Sequence, residues 1–151
     1  MPHNNPVRIL LVEDDPGHAR LIERNLRRAN VTSDVLVLSD GLEALDYLFN
    51  LPRYPYAAAL QPFIILLDLS LPGLDGYEVL SRIKTDPRTQ HVIVVVFTTT
   101  DDPGDIARCY TLGCNAYVTK PIDSKLFSDT IRTLGLFLSI VRIPNQQWPS
   151  V

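Results

Sequence analysis

Short apolar runs recur along this chain, and a polar residue closes each of them. Runs rich in Ile, Leu and Val occupy residues 9–12, 63–67 and 92–97, and a shorter run occupies residues 116–118. Apolar runs of this length, with many β-branched residues and polar ends, are typical of strands buried in a parallel sheet. The segment from Asp34 to Leu38 predicts one more strand. The pattern therefore predicts five strands.

Segments with apolar residues at helical spacing separate the predicted strands. Helices are predicted from Pro16 to Asn30, from Asp40-Gly41, from about Asp75, from near Pro103, and from a capping Ser124 to about Val141. Right-handed crossovers turn this alternation into one α/β domain, a (βα)₅ doubly wound, five-stranded parallel sheet with helices on both faces.

One domain accounts for most of the chain. The 151 residues, 46% of them hydrophobic, are enough for a single core. The predicted domain spans residues 7–143, with tails at residues 1–6 and 144–151. The segment from Leu51 to Pro62 contains three prolines, which favours a loop inserted before the third strand. We interpret this segment as an insertion within the domain and not as a boundary between domains.

Charge and composition argue against two classes of partner. The net charge is −3 and there is no run of basic residues, which disfavours nucleic-acid binding. No apolar stretch is long enough to span a membrane, and residues 1–5 lack the features of a signal peptide. Cys109 and Cys114 are too few for a disulfide framework and are interpreted as buried thiols. We expect a cytoplasmic protein that binds neither nucleic acid nor membrane.

Polar side chains at the ends of the predicted strands should converge, because the carboxyl ends of parallel strands line one crevice. Those ends carry Glu13, Asp14, Asp68, Thr98 and Lys120. Clustered carboxylates favour Mg²⁺, a hard cation that keeps waters and accepts a phosphate oxygen. A carboxylate beside the ion can attack phosphorus, while an ammonium and a hydroxyl stabilise the transferred charge. The set contains what an aspartyl-phosphate site requires.

The motifs around these residues resemble those of one signalling family. Residues 11–15 are Leu-Val-Glu-Asp-Asp, residues 67–76 are Leu-Asp-Leu-Ser-Leu-Pro-Gly-Leu-Asp-Gly, and residues 117–121 are Tyr-Val-Thr-Lys-Pro. Together with Thr98, and in this order, they resemble the receiver domain of two-component response regulators over about residues 7–140. The resemblance implies a flavodoxin-like receiver fold and a function in a phosphorelay.

The resemblance also implies a role for each site residue. The implied roles are phosphoacceptor for Asp68; metal ligands for Glu13, Asp14, Asp68 and the backbone carbonyl of Ser70; phosphoryl-oxygen binding for Thr98 and Lys120; a rotamer switch for Tyr117; and a cis peptide bond before Pro121. The implied cofactor is Mg²⁺, and the implied phosphodonor is a histidine on a separate sensor kinase. His3, His18 and His91 lack metal-ligand spacing and are interpreted as solvated, as is Asp15.

The last predicted helix is apolar around more than one face. Its apolar residues are Leu134, Leu136, Phe137, Leu138, Ile140 and Val141. So wide an arc favours a homodimer through the face formed by the fourth helix, fifth strand and fifth helix. Within the family, the chain most resembles the stand-alone regulators of cyanobacterial and other bacterial phytochromes. This resemblance implies that the kinase is a phytochrome.

Two other functions are compatible with parts of the pattern. A phosphorylation-independent dimeric adaptor needs only the fold and the dimer face, and the intact set of acids with Lys120 disfavours it. A phosphatase of the haloacid dehalogenase type would use Asp68 as its nucleophile, but such enzymes carry a second Asp where this chain has Ser70. The favoured hypothesis is a signalling switch, not an enzyme, that catalyses its own phosphotransfer and dephosphorylation.

Overall fold

Five parallel strands form one sheet in the computed structural model, which describes residues 8–49 and 63–140. The strands are β1 (Arg8–Val12), β2 (Val35–Leu38), β3 (Phe63–Leu67), β4 (Ile93–Thr98) and β5 (Ala116–Thr119). The helices are α1 (Pro16–Arg28), α2 (Gly41–Phe49), α3 (Gly76–Thr85), α4 (Pro103–Thr111) and α5 (Ser124–Ile140). No helix within these two ranges is long and apolar enough to cross a lipid bilayer. The predicted (βα)₅ order is confirmed, while the inserted loop and both tails lie outside the described residues.

The strand order is β2-β1-β3-β4-β5, and all neighbouring strands are parallel. The chain winds outward from β1 in one direction to β2 and in the other direction to β3, β4 and β5. The point of reversal, between β1 and β3, is where a doubly wound sheet opens a crevice at the carboxyl ends of its strands. The residues that follow β1 and β3 therefore face this crevice.

Alternate residues of the central strands pack on opposite faces of the sheet. The face beneath α2, α3 and α4 buries residues that include Leu10, Val12, Ile65, Leu67, Leu80 and Ile83. The face beneath α1 and α5 buries residues that include Ile9, Leu11, Ile64, Leu66, Ile22 and Ile131. Cys109 and Cys114 are buried free thiols, as predicted, and burial raises the pKa of Cys109 to about 11. Helices on both faces explain why the strands are continuously apolar.

The residue that caps α5 differs from the prediction. Ser124 is the first helical residue, and the carboxylate of Asp123 accepts the N–H groups of Lys125 and Leu126, each at 3.0 Å. A capping side chain must precede the helix to reach the N–H groups of its second and third residues. The prediction that Ser124 is the cap is therefore wrong, and Asp123 has this role.

One lysine joins three segments at the amino ends of β4 and β5. Near the end of α3, Lys84 Nζ donates to the carbonyls of Gln90 at 3.1 Å and Val92 at 2.6 Å, and to Asn115 Oδ1 at 3.0 Å. Asn115 Oδ1 also accepts the N–H of Val94 at 2.8 Å, and the backbone N–H of Asn115 donates to the Val94 carbonyl at 2.9 Å. These bonds tie the end of α3 to the beginnings of β4 and β5, opposite the crevice.

Candidate functional site

Three carboxylates meet at the carboxyl ends of β1 and β3. Because Val12 pairs with Leu67, the next residues, Glu13 and Asp68, leave neighbouring strands side by side. One oxygen from each of Glu13, Asp14 and Asp68 lies within 4.8 Å of the others. Glu13 and Asp68 are buried, while Asp14 is exposed. An all-oxygen donor set with one solvent-facing member fits a hard divalent cation.

A buried ammonium group faces these carboxylates. Lys120 is 2% exposed, and its Nζ donates to Glu13 Oε2 at 2.5 Å and to Asp68 Oδ2 at 2.9 Å. The parallel pairing of β4 and β5 sets its position, because the backbone N–H of Lys120 donates to the Thr98 carbonyl at 2.6 Å. The ion pairs compensate a buried charge that would otherwise be costly. The structure thus brings Lys120 together with two of the predicted metal ligands.

The pKa of Glu13 reflects the balance of charge in this cluster. Burial raises the pKa of Glu13 to about 7, and the nearby charge of Asp68 adds to the effect while Lys120 opposes it. A cation among the carboxylates would favour the ionised form of Glu13. The electrostatics therefore agree with the geometry in favouring a cation at this position.

The side chain of Thr98 ends β4 beside this cluster. Thr98 is fully buried, and its Oγ1 has no hydrogen-bond partner among the residues that the structure describes. Leaving a buried hydroxyl unpaired costs about 1–3 kcal/mol. The hydroxyl is therefore free to form a hydrogen bond with an oxygen atom that comes within its reach.

Tyr117 lies on the face of the sheet beneath α4 and bonds to the loop between β4 and α4. Its hydroxyl donates to the Thr100 carbonyl at 2.7 Å, and the hydroxyl of Thr100 donates to Asp105 Oδ2 at 3.1 Å. Burial raises the pKa of Tyr117 to about 12, which keeps the phenol a neutral donor. Two hydrogen bonds in series thus connect β5 to α4 through this loop.

The backbone of Ser70 contacts Asp68, and the peptide bond before Pro121 differs from what the resemblance implies. Ser70 donates its N–H to Asp68 Oδ1 at 3.1 Å, which orients the carboxylate so that Oδ2 meets Lys120. The prediction of a cis bond before Pro121 is wrong, since every peptide bond within residues 8–49 and 63–140 is trans. The trans form before proline is favoured by about 0.5–1 kcal/mol, and Lys120 reaches both carboxylates from it.

Two residues of the first helix and its cap that were predicted to be solvated lie at this site. The Asp15 carboxylate caps α1 by accepting the N–H groups of His18 at 3.1 Å and Gly17 at 2.8 Å, which lowers the pKa of Asp15. His18 Nδ1 lies 3.3 Å from Lys120 Nζ, and its ring centroid lies 5.1 Å from that of Phe127. The interpretation of His18 as solvated is therefore correct only in part, because 39% of its side chain is exposed while Nδ1 contacts Lys120. Its position one helical turn after Asp14 was the only available sequence signal.

Asp68 combines a nucleophilic oxygen with groups that can stabilise developing charge. Its carboxylate is oriented by the Ser70 N–H and the Lys120 ammonium, and the Thr98 hydroxyl is unpaired nearby at the end of β4. An ionised carboxylate can attack phosphorus, and an ammonium with a hydroxyl can accept the charge of the transferred oxygens. The arrangement is suited to receive a phosphoryl group on Asp68.

Comparison with known proteins identifies sequence relatives over most of the chain. The family model described as response regulator receiver domain matches residues 9–132. The chain is 42% identical over 130 residues to the probable methanogenesis regulatory protein FilR2 of Methanothrix harundinacea, covering 86% of this chain and 80% of that protein. It is 37% identical over 142 residues to response regulator Rcp1 of Synechocystis sp., covering 93% of this chain and 95% of that protein.

Solved structures of similar proteins share the fold. The phosphorylated cyanobacterial phytochrome response regulator RcpA matches with a TM-score of 0.83 and 38% identity, covering 91% of this chain and 97% of that chain. The Mn²⁺-bound form of response regulator Rcp1 matches with a TM-score of 0.81 and 34% identity, covering 91% of this chain and 98% of that chain. One of these relatives carries a phosphoryl group and the other a divalent ion.

Proposed function

This chain belongs to the response regulator receiver domain family, and on that premise we propose that it is a switch that a histidine kinase phosphorylates on Asp68. The observation that carries the proposal is the Asp68 carboxylate, bonded at 2.9 Å to a buried ammonium within a cluster of three acids. A receiver needs this combination of nucleophile, counter-charge and metal ligands. The phosphorylated relative RcpA supports the same assignment.

The proposed reaction moves one phosphoryl group to Asp68. An oxygen of the carboxylate attacks phosphorus, a new P–O bond forms, and the bond from phosphorus to the donor histidine nitrogen breaks with its electron pair leaving on that nitrogen. Lys120 and the Thr98 hydroxyl bind phosphoryl oxygens. Glu13, Asp14, Asp68 and the Ser70 carbonyl would hold Mg²⁺, which when bound neutralises charge on the transferred group. Hydrolysis of the acyl phosphate returns the switch to its first state.

The proposed output is a change in a protein-binding surface. The acyl phosphate carries a charge of about −2 beside Thr98 and Lys120, where the free carboxylate of Asp68 carried about −1. Movement of the Thr98 hydroxyl toward this charge would release space beside β4, and Tyr117 would turn with the loop to which it is bonded. Because this loop leads into α4, the change would reach the surface formed by α4, β5 and α5.

The proposed phosphodonor is a sensor histidine kinase of the phytochrome class. The support for this class is the similarity to RcpA, which is a phytochrome response regulator. The similarity to FilR2 shows that relatives of this chain also have other assignments. A cytoplasmic location and the lack of a nucleic-acid partner stay predictions.

Intact mass measured after incubation with acetyl phosphate tests the phosphoacceptor. We expect wild type to gain the mass of one phosphoryl group with Mg²⁺ present and to gain nothing in EDTA. Asp68→Asn should gain nothing under either condition, because the amide cannot act as the nucleophile. The control is Asp129→Asn, which changes an exposed aspartate of α5 in the same way and should behave as wild type. A folded wild type without an adduct would contradict the proposal and favour the adaptor.

We also propose that the protein forms a homodimer through α4, β5 and α5. Apolar side chains of α5 are exposed, among them Leu136, Phe137 and Ile140. Leu126, Phe137 and Val118 line a groove of about 450 Å³ between α5 and β5. An exposed apolar surface of this kind marks a site for association.

Light scattering on charged variants tests this dimer. Leu126 on α5 and Leu42 on α2 expose 56% and 62% of their surfaces, so they form a matched pair. We expect Leu126→Glu to produce a monomer, because it places a charge in the proposed interface, and Leu42→Glu to remain dimeric. A monomeric wild type at high concentration, with and without phosphorylation, would refute the dimer.

A further inference from the structure

His18 contacts the reactive end of the site but has no role in the proposed function. It lies in the first turn of α1, and its Nδ1 is 3.3 Å from Lys120 Nζ. Its backbone N–H donates to the Asp15 carboxylate at 3.1 Å, which anchors the start of the helix. The same imidazole lies 3.8 Å from Glu13 Oε1, beyond hydrogen-bond distance. The close polar contact of its Nδ1 is therefore with Lys120.

The chemistry of this contact defines the form of the imidazole. A lysine ammonium has three hydrogens to donate and no lone pair to accept with. Glu13 Oε2, Asp68 Oδ2 and His18 Nδ1 lie around Lys120 Nζ at 2.5, 2.9 and 3.3 Å. A hydrogen bond at this contact therefore needs the tautomer in which Nδ1 is the acceptor and the ring proton is on Nε2. His18 supplies the third acceptor of the Lys120 ammonium.

The ring of His18 is held in place by aromatic packing. Its centroid is 5.1 Å from that of Phe127, with 37° between the planes, and Phe127 in turn lies 5.6 Å from Phe97. Lys120 Nζ lies 5.6 Å from the centroid of the Phe97 ring. The imidazole thus packs on Phe127, which in turn packs on the Phe97 ring near the lysine, so its orientation does not depend on the lysine alone.

We infer that His18 is a positioning residue that keeps the Lys120 ammonium aimed at Asp68 during phosphoryl transfer. The inference rests on the proposed function. Glu13 and Asp68, the other two acceptors, are the residues assigned to Mg²⁺ and to the phosphoryl group. His18 is the acceptor of Lys120 that is assigned neither to Mg²⁺ nor to the phosphoryl group. It can therefore hold the ammonium while the lysine exchanges a carboxylate for a phosphoryl oxygen.

Two substitutions separate the acceptor from the shape of the ring. His18→Phe keeps an aromatic ring against Phe127 and removes the acceptor. His18→Asn loses the ring, but its Oδ1 takes nearly the place of Nδ1 and can accept from Lys120. The rate of phosphorylation by acetyl phosphate with Mg²⁺, followed by intact mass, should fall about tenfold in His18→Phe, as for loss of an outer partner of a catalytic group. His18→Asn should recover most of the wild-type rate.

Each outcome decides between the inference and its alternatives. Thermal unfolding of both variants checks that they are folded. If His18 acted only through stability, His18→Phe would be phosphorylated faster than His18→Asn, because Phe retains the packing against Phe127. A slow Phe variant with a faster Asn variant supports the inference. Phe at the wild-type rate, or both variants equally slow, overturns it. Wild type without an adduct would instead refute the proposed function, so the two failures are distinguishable.

Discussion

Lys120 shares its buried position with Glu13 and Asp68, and their side chains expose only 1%, 2% and 8% of their surfaces. Charges placed so far from water interact strongly, and each depends on its partner for compensation. The acids and the ammonium therefore stabilise the fold only as a set. Loss of the ammonium would leave like charges adjacent to one another.

Lys120→Met tests this dependence, because it retains most of the side-chain length and removes the charge. In EDTA we expect the free energy of unfolding to fall by about 3–5 kcal/mol, the usual cost of leaving a buried charge unpaired. Mg²⁺ should restore part of the loss by replacing the positive charge. Urea denaturation followed by circular dichroism gives both values.

The control for this variant is Lys125→Met, which removes the charge of an exposed lysine on α5. We expect it to change the free energy of unfolding by no more than about 0.5 kcal/mol. Equal losses in the two variants would show that the burial of the Lys120 charge is not what matters.

At the scale of the element, α5 begins at a cap and extends under the proposed dimer surface. Its first N–H groups are bound by Asp123, at 3.0 Å to both Lys125 and Leu126. Removal of a capping carboxylate costs about 0.5–2 kcal/mol. The adjacent Ser124 offers a comparison, because it is already inside the helix.

Asp123→Ala should lower the free energy of unfolding by about 1 kcal/mol, because two N–H groups lose their acceptor. Ser124→Ala should be neutral or slightly stabilising, since alanine has the higher helix propensity. Chemical denaturation of the two variants side by side measures the difference. A larger loss in Ser124→Ala would mean that Ser124 is the cap after all.

The contrast between the strands and the caps explains how far the sequence could predict this protein. Strands such as β3 are buried on both faces, so their apolar runs are visible without knowledge of the fold. Asp123 and Ser124 are both good capping residues, and only the start of the helix decides between them. The acids and Lys120 were predictable because they follow strand ends that meet at one edge.

The contact between His18 and Lys120 was beyond the reach of such patterns. The two residues are 102 positions apart, and the contact depends on how α1 is placed over the ends of β1 and β5. Periodicity predicts which face of a helix is buried, but not which polar side chain at its end reaches a distant lysine. The motif before Pro121 implied a cis bond, whereas the protein has the trans form that X-Pro bonds intrinsically favour.

At the scale of the whole molecule, several thiol and phenol groups have a higher pKa in the folded protein than in the unfolded chain. Burial raises the pKa of Cys109 from 9.0 to about 11 and that of Tyr117 from 10.0 to about 12, and burial also raises the pKa of Tyr77 and Cys114. Below about pH 8 the folded and unfolded states hold these protons alike. Above it the unfolded chain loses protons that the folded protein retains, so stability falls as pH rises.

We therefore expect the urea midpoint to decrease from about pH 8 to about pH 10.5. The lowered pKa of Lys84, caused by burial, acts in the opposite sense and reduces the net effect. Cys109→Ala removes one of the responsible groups, so its urea midpoint should decrease less between these two pH values. The variant should be less stable than wild type at both of them. An identical decrease in wild type and Cys109→Ala would refute the assignment to Cys109.

The bonds made by Lys84 and Asn115 have a mechanical consequence for the proposed switch. They clamp the beginnings of β4 and β5 to α3, whereas Thr98 is the last residue of β4 and Lys120 follows the last residue of β5. A strand pair that is fixed at one end moves least beside the fixed end and most at the other end. A force applied by a phosphoryl group at the free ends is therefore delivered to the loop before α4, and the base of the sheet stays in place.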